Sequence, residues 1–515
     1  MQSLLPVLQM LPVFFIALGT ASIAAPITAA IARKLNLVDH PDGGRKQHSS
    51  SIPLTGGPTL LVSVFAAVAY AGFASPDLLA ASTGDRRFFV WLAIASVSLC
   101  VVGLLDDRFG LRGRQKLFMQ SLVALLMLPS GILIERIDAF GFIIDFGDFA
   151  GIITIIWLLG AINSLNLIDG ADGVASTVGL SMTLTCAGIA WMLDLRPDGI
   201  LVSLALAGFF AGFLFHNLPP ARMFLGDSGS MLAGLMLGAV AIKCSMKESS
   251  AVALIMPMVV WTLPIFDSSM AIVRRKLTGR SIYATDRNHL HHCLLRDSKN
   301  GVRVLLYVAG LCLITSASAI LGAWMGSDTM AVLGGLIAVS LLVFTGSFGF
   351  VESKLIIRRI KRLVLSFAQI SPVVKPKFSE QFVLHGKYDW EPFYARLETM
   401  AIDLELHRLE LLISIPSANE EWHGETQFKK QDNETQPHIL TLPLLVSGIQ
   451  VGSIRIEASA LENPSLTKFL GDLQKDLVLF EQEITPIIEK MLRDSLVPAS
   501  QSKKTVSPLL QNQTK

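Results

Sequence analysis

The stretch Gly151-Ile-Ile-Thr-Ile-Ile-Trp-Leu-Leu-Gly160-Ala-Ile-Asn163-Ser-Leu-Asn166-Leu-Ile-Asp169-Gly170-Ala-Asp172-Gly173 decides how the rest of the chain is read. It starts as an unbroken apolar run of the roughly 17 to 25 residues that carry a helix across a bilayer. It ends in two amides and two carboxylates. On a helix Asn163 and Asn166 share one face, and Gly170 and Gly173 let the backbone unwind so that Asp169 and Asp172 turn toward the same point. Amides and carboxylates together suit a hydrated divalent cation or a nucleotide. A capped helix end followed by a glycine turn would not need four such groups.

Ten further apolar runs lie near 4–32, 57–75, 88–105, 117–135, 174–193, 199–217, 229–246, 250–270, 302–325 and 328–351. With the run at 150–167 they predict an all-α polytopic membrane protein of about eleven transmembrane helices. Composition agrees, with 51% hydrophobic and only 16% charged residues in 515 and a mean hydropathy of +0.54, where soluble chains are about a quarter charged. Barrel strands alternate over about ten residues, so continuous runs exclude a β-barrel. The first run is too long for a secretion signal and has no basic residue before Arg33, so it is expected to remain as a span. A net charge of +2 gives no support for a nucleic-acid partner. The five cysteines form no CxxC pair and read as small core fillers.

Lys and Arg concentrate in the odd-numbered connections: Arg33, Lys34, Arg45 and Lys46, then Arg108, Arg112, Arg114 and Lys116, then Arg222, then Arg274, Arg275, Lys276, Arg280, Arg287, Arg296 and Lys299. By the positive-inside rule the N-terminus is outside, and an odd number of helices leaves the C-terminal part in the cytoplasm. From about Glu352 the composition becomes that of a soluble chain. The expected division is a membrane domain at 1–351, a basic linker at 352–377, a small soluble α/β cytoplasmic domain at 378–497 and a disordered end at 498–515. Within the soluble part the pattern predicts a helix at 391–406 and strands at 409–415, 439–446 and 449–456, the last two joined by a Ser447-Gly448 turn. A flexible polar loop is expected at 419–435 and a helix at 465–493. The strand, turn, strand, helix ending is faintly similar to a GAF-type sensory module and carries no catalytic constellation.

Every unusual polar cluster of the membrane half falls at a predicted cytoplasmic helix end. Adjacent carboxylates such as Asp106-Asp107 disturb each other's ionisation unless a cation or proton lies between them, which suits a metal or general-base site. A solvated helix end beside Arg108, Arg112 and Arg114 explains them equally well. In Phe224-Leu-Gly-Asp227-Ser-Gly229, Asp227 or Ser228 taken singly reads best as a helix N-cap. Asp286-Arg287-Asn-His289-Leu-His291-His292 could bind zinc, but the basic residues around it favour an anion. Lys46 and His48, before the second run, could meet lipid head groups or a pyrophosphate.

In order and spacing these motifs resemble the polyprenyl-phosphate N-acetylhexosamine-1-phosphate transferases over residues 1–351. The resemblance implies a UDP-N-acetylhexosamine donor, undecaprenyl phosphate as acceptor, release of UMP, and Mg²⁺ for which Mn²⁺ can substitute. It implies an active site on the cytoplasmic side of the inner membrane. It assigns Asp227 as the metal ligand and Asp106, Asp107, Asp172 and His289 as catalytic residues. Lys46, His48, Lys116, Asn163, Asn166, Asp169, Arg287, His291 and His292 would bind substrate. The H-x-H-H form looks like the branch that uses UDP-N-acetylglucosamine, although Ile282-Tyr283 stands where Pro-Phe is common and Cys293 where a basic residue is common. A homodimer is a further expectation. Two other classes remain open on the residues alone: a secondary transporter, whose sites lie nearer the midplane, and a membrane sensor working through its soluble domain.

Overall fold

The computed structural model describes residues 4–40, 51–74, 86–193, 197–245, 251–252, 255–277, 289–298, 300–349, 353, 378–385, 388–403, 406–415, 420–428, 438–446, 449–458, 478, 482 and 484–491. They fall into two compact units, the first chiefly Lys46–Lys354 with the residues before Asp42, the second chiefly Leu355–Lys515.

The first unit is helical: α1 (Leu4–Lys34), α2 (Gly56–Ala74), α3 (Arg86–Phe109), α4 (Gly113–Leu126), α5 (Ala150–Ile168), α6 (Val174–Met192), α7 (Pro197–Asn217), α8 (Gly226–Ser245), α9 (Ile255–Val260), α10 (Thr262–Leu277), α11 (Leu290–Ser298), α12 (Gly301–Met325) and α13 (Asp328–Phe344). Each of the eleven predicted runs contains helix, yet among the described residues only eight helices are long and apolar enough to cross a membrane. The other three runs depart for visible reasons. Helix α4 stops where Leu128-Pro129-Ser130 tightens into a 3₁₀ turn. Its 14 residues reach only about 21 Å at 1.5 Å per residue. The run at 250–270 breaks at Trp261 into α9 and α10, with Pro257 and Pro264 either side of the break. Helix α13 has 17 residues.

Helix α8 is the axis of this unit, and every residue from Ser228 to Ser245 is buried. A helix that is apolar all round belongs in an interior. Small residues let its neighbours close in: a Cβ on Gly103 of α3 would overlap the Ser228 backbone, and one on Gly234 would come within 2.6 Å of the Ala161 carbonyl of α5. Away from the motif ends, a short antiparallel hairpin of β3 (Arg136–Ala139) and β4 (Phe142–Asp145) precedes α5. It follows β1 (Val38–Asp39) and β2 (Ile52–Pro53), and β5 (Ala251–Val252) pairs with β3.

The second unit is a five-stranded antiparallel sheet in the order β6-β8-β7-β10-β9, made of β6 (Phe378–His385), β7 (Arg408–Ile415), β8 (Glu420–Gln427), β9 (His438–Val446) and β10 (Ile449–Ala458). Helix α14 (Glu391–Asp403) covers one face, where Trp390, Tyr394, Leu397 and Ala401 pack on Leu409, Leu411, Ile413 and Trp422. Val446 pairs with Ile449, so the expected two-residue connection joins β9 to β10. The expected loop at 419–435 is corrected, because its first half is strand β8, held between β6 and β7 with Trp422 buried. Strand β6 was not expected. The linker at 352–377, Ser353 apart, and the end at 498–515 lie outside the described residues, as does most of the helix expected at 465–493.

Candidate active site

The ends of α3 and α5, the first half of α10 and the starts of α4, α6, α8 and α11 bring the sequence motifs together. Asp106 and Asp107 close α3, and the roughly 100° turn per residue sends them to different partners. Both oxygens of Asp107 accept backbone N–H groups at the start of α8, from Asp227 at 2.7 Å and Ser228 at 3.1 Å. Asp107 therefore caps a helix other than its own. Gly226, at φ +68°, sits directly against this carboxylate and needs the left-handed backbone that glycine tolerates.

Asp106, 7% exposed, accepts the Leu111 N–H at 2.8 Å and pairs with the Lys116 ammonium at 2.8 Å. Lys116 is the hub of the cluster: it also reaches Asp227 Oδ1 at 3.0 Å and Asn166 Oδ1 at 3.1 Å. The Asn166 amide donates to Asp227 Oδ1 at 2.5 Å and to Ser230 Oγ at 2.9 Å. Burial opposes the charge on Lys116, but Asp227 and Asp106 outweigh it and raise the ammonium's pKa above its usual value. Asp169 lies next to the cluster, and its pKa is pushed well above the carboxylate range, first by burial and then by the charges of Asp227 and Asp107.

Asp172 turns to another task, since its Oδ2 accepts the Ala221 N–H at 2.9 Å. Asn163 donates to Gln120 Oε1 at 2.9 Å, and Gln120 in turn contacts Met231 Sδ at 3.0 Å, a link between α5, α4 and α8 one turn deeper than the cluster. The histidine motif enters from α11. His291, 3% exposed, lies with its ring parallel to that of His289, at an interplanar angle of 5°, and against Gly170, where any Cβ would overlap its Nε2. Burial first, and then His292 and His289, hold the His291 pKa well below its usual value. His292 is exposed, its ring 4.2 Å from that of His291. Lys46, His48 and Arg287 lie outside the described residues.

Two contributors escaped the sequence reading. Asn217, 3% exposed, ties the two central motifs together. It accepts from Gly173 N–H at 3.2 Å and Ser176 Oγ at 2.8 Å, and donates to the Met223 carbonyl at 2.8 Å. Asp267, fully buried in α10, faces His289 Nδ1 at 3.1 Å and accepts the Leu290 N–H at 2.8 Å. The available signal for Asp267 was a lone carboxylate inside a predicted span.

Among the described residues no group of three or more His, Cys, Asp or Glu is placed to hold a metal ion by itself. The donor chemistry nonetheless fits a hard cation that keeps part of its water. Among the described residues Asp106 and Asp227 share the Lys116 ammonium, and Asp107 and Asp169 lie close enough to feel the charge of Asp227. Asp227 and Asp169, with the amide of Asn166 beside them, are the residues suited to it.

Comparison with known proteins identifies the family. Residues 89–245 match glycosyl transferase family 4. A protein of Bacillus subtilis (strain 168) named "Probable undecaprenyl-phosphate N-acetylglucosaminyl 1-phosphate transferase" is 31% identical over 317 residues, which is 60% of this chain and 83% of that one. The decaprenyl-phosphate N-acetylglucosaminephosphotransferase of Mycobacterium leprae (strain TN) is 30% identical over 62% of this chain and 85% of its own. The phospho-N-acetylmuramoyl-pentapeptide-transferase of Shouchella clausii (strain KSM-K16) is 28% identical over 61% and 96%. The chain belongs to glycosyl transferase family 4, among the polyprenyl-phosphate sugar-1-phosphate transferases.

Proposed function

We propose that the membrane unit transfers N-acetylglucosamine-1-phosphate from UDP-N-acetylglucosamine to undecaprenyl phosphate and releases UMP. The observation that carries this reading is the convergence of Asp106, Lys116, Asn166, Asp169 and Asp227 in one cluster that sits with the histidine motif against the Asp169–Gly173 turn. Phosphoryl transfer asks chiefly for positioning and charge neutralisation. Mg²⁺, or Mn²⁺ in its place, held by Asp227 and Asp169, would supply neutralisation of the donor pyrophosphate. An oxygen of the lipid phosphate attacks the β-phosphorus of the donor, and the bond to the UMP oxygen breaks. The acceptor's proton passes to one of the adjacent carboxylates, Asp106, which is held by the Leu111 N–H and Lys116, or Asp107, which is held by the Asp227 and Ser228 N–H groups. Lys116 contacts both Asp106 and Asp227, and it holds the two carboxylates together at the site.

The motif-bearing helix ends lie in the cytoplasm on this reading, with the N-terminus of an eleven-helix fold outside, since Arg33, Lys34, Arg108, Arg112, Arg114, Lys116 and Arg274 all belong to that end. The second unit is then a cytoplasmic regulatory or assembly domain. The decisive experiment incubates purified protein with undecaprenyl phosphate, Mg²⁺ and radiolabelled UDP-N-acetylglucosamine, with UDP-N-acetylgalactosamine and UDP-N-acetylmuramoyl-pentapeptide in parallel. Lipid-linked label from the first donor alone is expected. Label from only the pentapeptide donor would overturn the sugar assignment, and none from any donor would overturn the activity.

A further inference from the structure

Asp267 is the only charged residue between 251 and 273, in an apolar segment of α10. It is 0% exposed. A lone carboxylate in such a place costs several kcal/mol unless its oxygens are engaged. Both are: Oδ2 lies 3.1 Å from His289 Nδ1, and Oδ1 accepts the N–H of Leu290 at 2.8 Å. Leu290 is the first residue of α11, so Asp267 caps that helix from another element, as Asp107 caps α8. A carboxylate only accepts, so the proton of this contact sits on His289 Nδ1. Any exchange between His289 and a phosphate then runs through Nε2. The ring of His291, two residues on, stays parallel to that of His289 and closes on Gly170, so the height of α11 also depends on the Leu290 anchor.

We propose that Asp267 is a positioning residue that fixes the Nδ1–H tautomer of His289 and seats the histidine helix against the Asp169–Gly173 turn. The proposal rests on the transfer reaction above for its kinetic effect, but not for its tautomer.

Asp267→Asn separates the two contacts. Its carbonyl oxygen can still accept the Leu290 N–H, and its NH₂ then faces His289 Nδ1, which forces the ring proton to Nε2. The expected result is a fall in kcat of about 10²- to 10⁴-fold, the range over which a wrong histidine tautomer acts, with the KM for UDP-N-acetylglucosamine within about threefold and the thermal midpoint unchanged. In a His289→Ala background the same substitution should cost less than about threefold, because coupled residues fail additivity. ¹⁵N-histidine NMR in detergent reads the tautomer without substrate. The His289 signal, identified by its loss in His289→Gln, is compared on the neutral side of its own titration and should change from Nδ1-protonated to Nε2-protonated in Asp267→Asn. Full kcat in Asp267→Asn, losses that multiply in the double variant, or an unchanged tautomer would each overturn the proposal. A wild-type protein that transfers no sugar overturns the functional reading instead, and the NMR comparison still decides the role of Asp267.

Discussion

Charge is arranged in opposite ways in the two units. At the motif end of the membrane unit, among the described residues, Asp106 and Asp227 share one ammonium, Lys116, while Asp107 and Asp169 lie close enough to feel the charge of Asp227. In the second unit Glu410, Glu425 and Glu457 meet Arg408, Arg455 and His423 nearly one for one, with Arg408 2.8 Å from Glu425 and 3.2 Å from Glu457, and His423 2.9 Å from Glu410. Paired charge holds strands together and asks for nothing further. Surplus charge in a buried place is expensive, and it persists where a ligand completes it.

The sharpest way to break this contrast is to remove one surplus charge. Asp227→Asn keeps the shape and one acceptor oxygen but offers a cation no charge, so transfer is expected to drop by about 10³-fold or more, measured as labelled lipid per folded molecule. Near wild-type turnover would show that Asp227 is one more structural partner of Lys116. Gly170→Ala tests whether the histidine helix and the aspartate turn work as a unit. The added Cβ overlaps His291 Nε2, and a displacement near 1 Å is expected to cost about 10²-fold in rate; activity within a few-fold of wild type would separate the two motifs.

Paired charge should answer to pH through stability. The Glu410 pKa is lowered from 4.5, first because His423 donates to it. Its stabilising effect is therefore complete above the ordinary glutamate value and is lost as pH falls through the lowered one. In His423→Ala, hydrogen exchange of β7 and β8 is expected to accelerate at a higher pH than in wild type, with about 1 to 3 kcal/mol lost; identical profiles would empty the pair of meaning. The smallest effect is expected from ending the chain before Lys375. Transfer per folded molecule should change by less than about fivefold, the lower edge of ordinary coupling between sites. A truncated protein that folds and binds donor but cannot turn over would place a catalytic group in the second unit.

Much of this was legible in the sequence because bilayers are strict solvents. A run such as 174–193 has little alternative to helix, and it became Val174–Met192. Polar clusters stood out where such runs ended. The same logic hid Asp267, since one carboxylate scarcely dilutes the apolar run around it. Asp106 and Asp107 could not be told apart, because adjacency in sequence says nothing of which partner each helical direction meets. Strand β8, Glu-Glu-Trp-His-Gly-Glu-Thr-Gln, is polar in both phases. Its pairing comes from β6 and β7 on either side, which no local pattern reveals.

A helix N-terminus ordinarily welcomes phosphate. At α8 the two leading N–H groups are already given to Asp107, and Asp227 stands at the same end. That doorway is closed to a bare anion. On the proposed reading, a donor pyrophosphate approaching it would carry its counter-charge along, and donor offered without a divalent ion is expected to fail at entry, ahead of the chemistry.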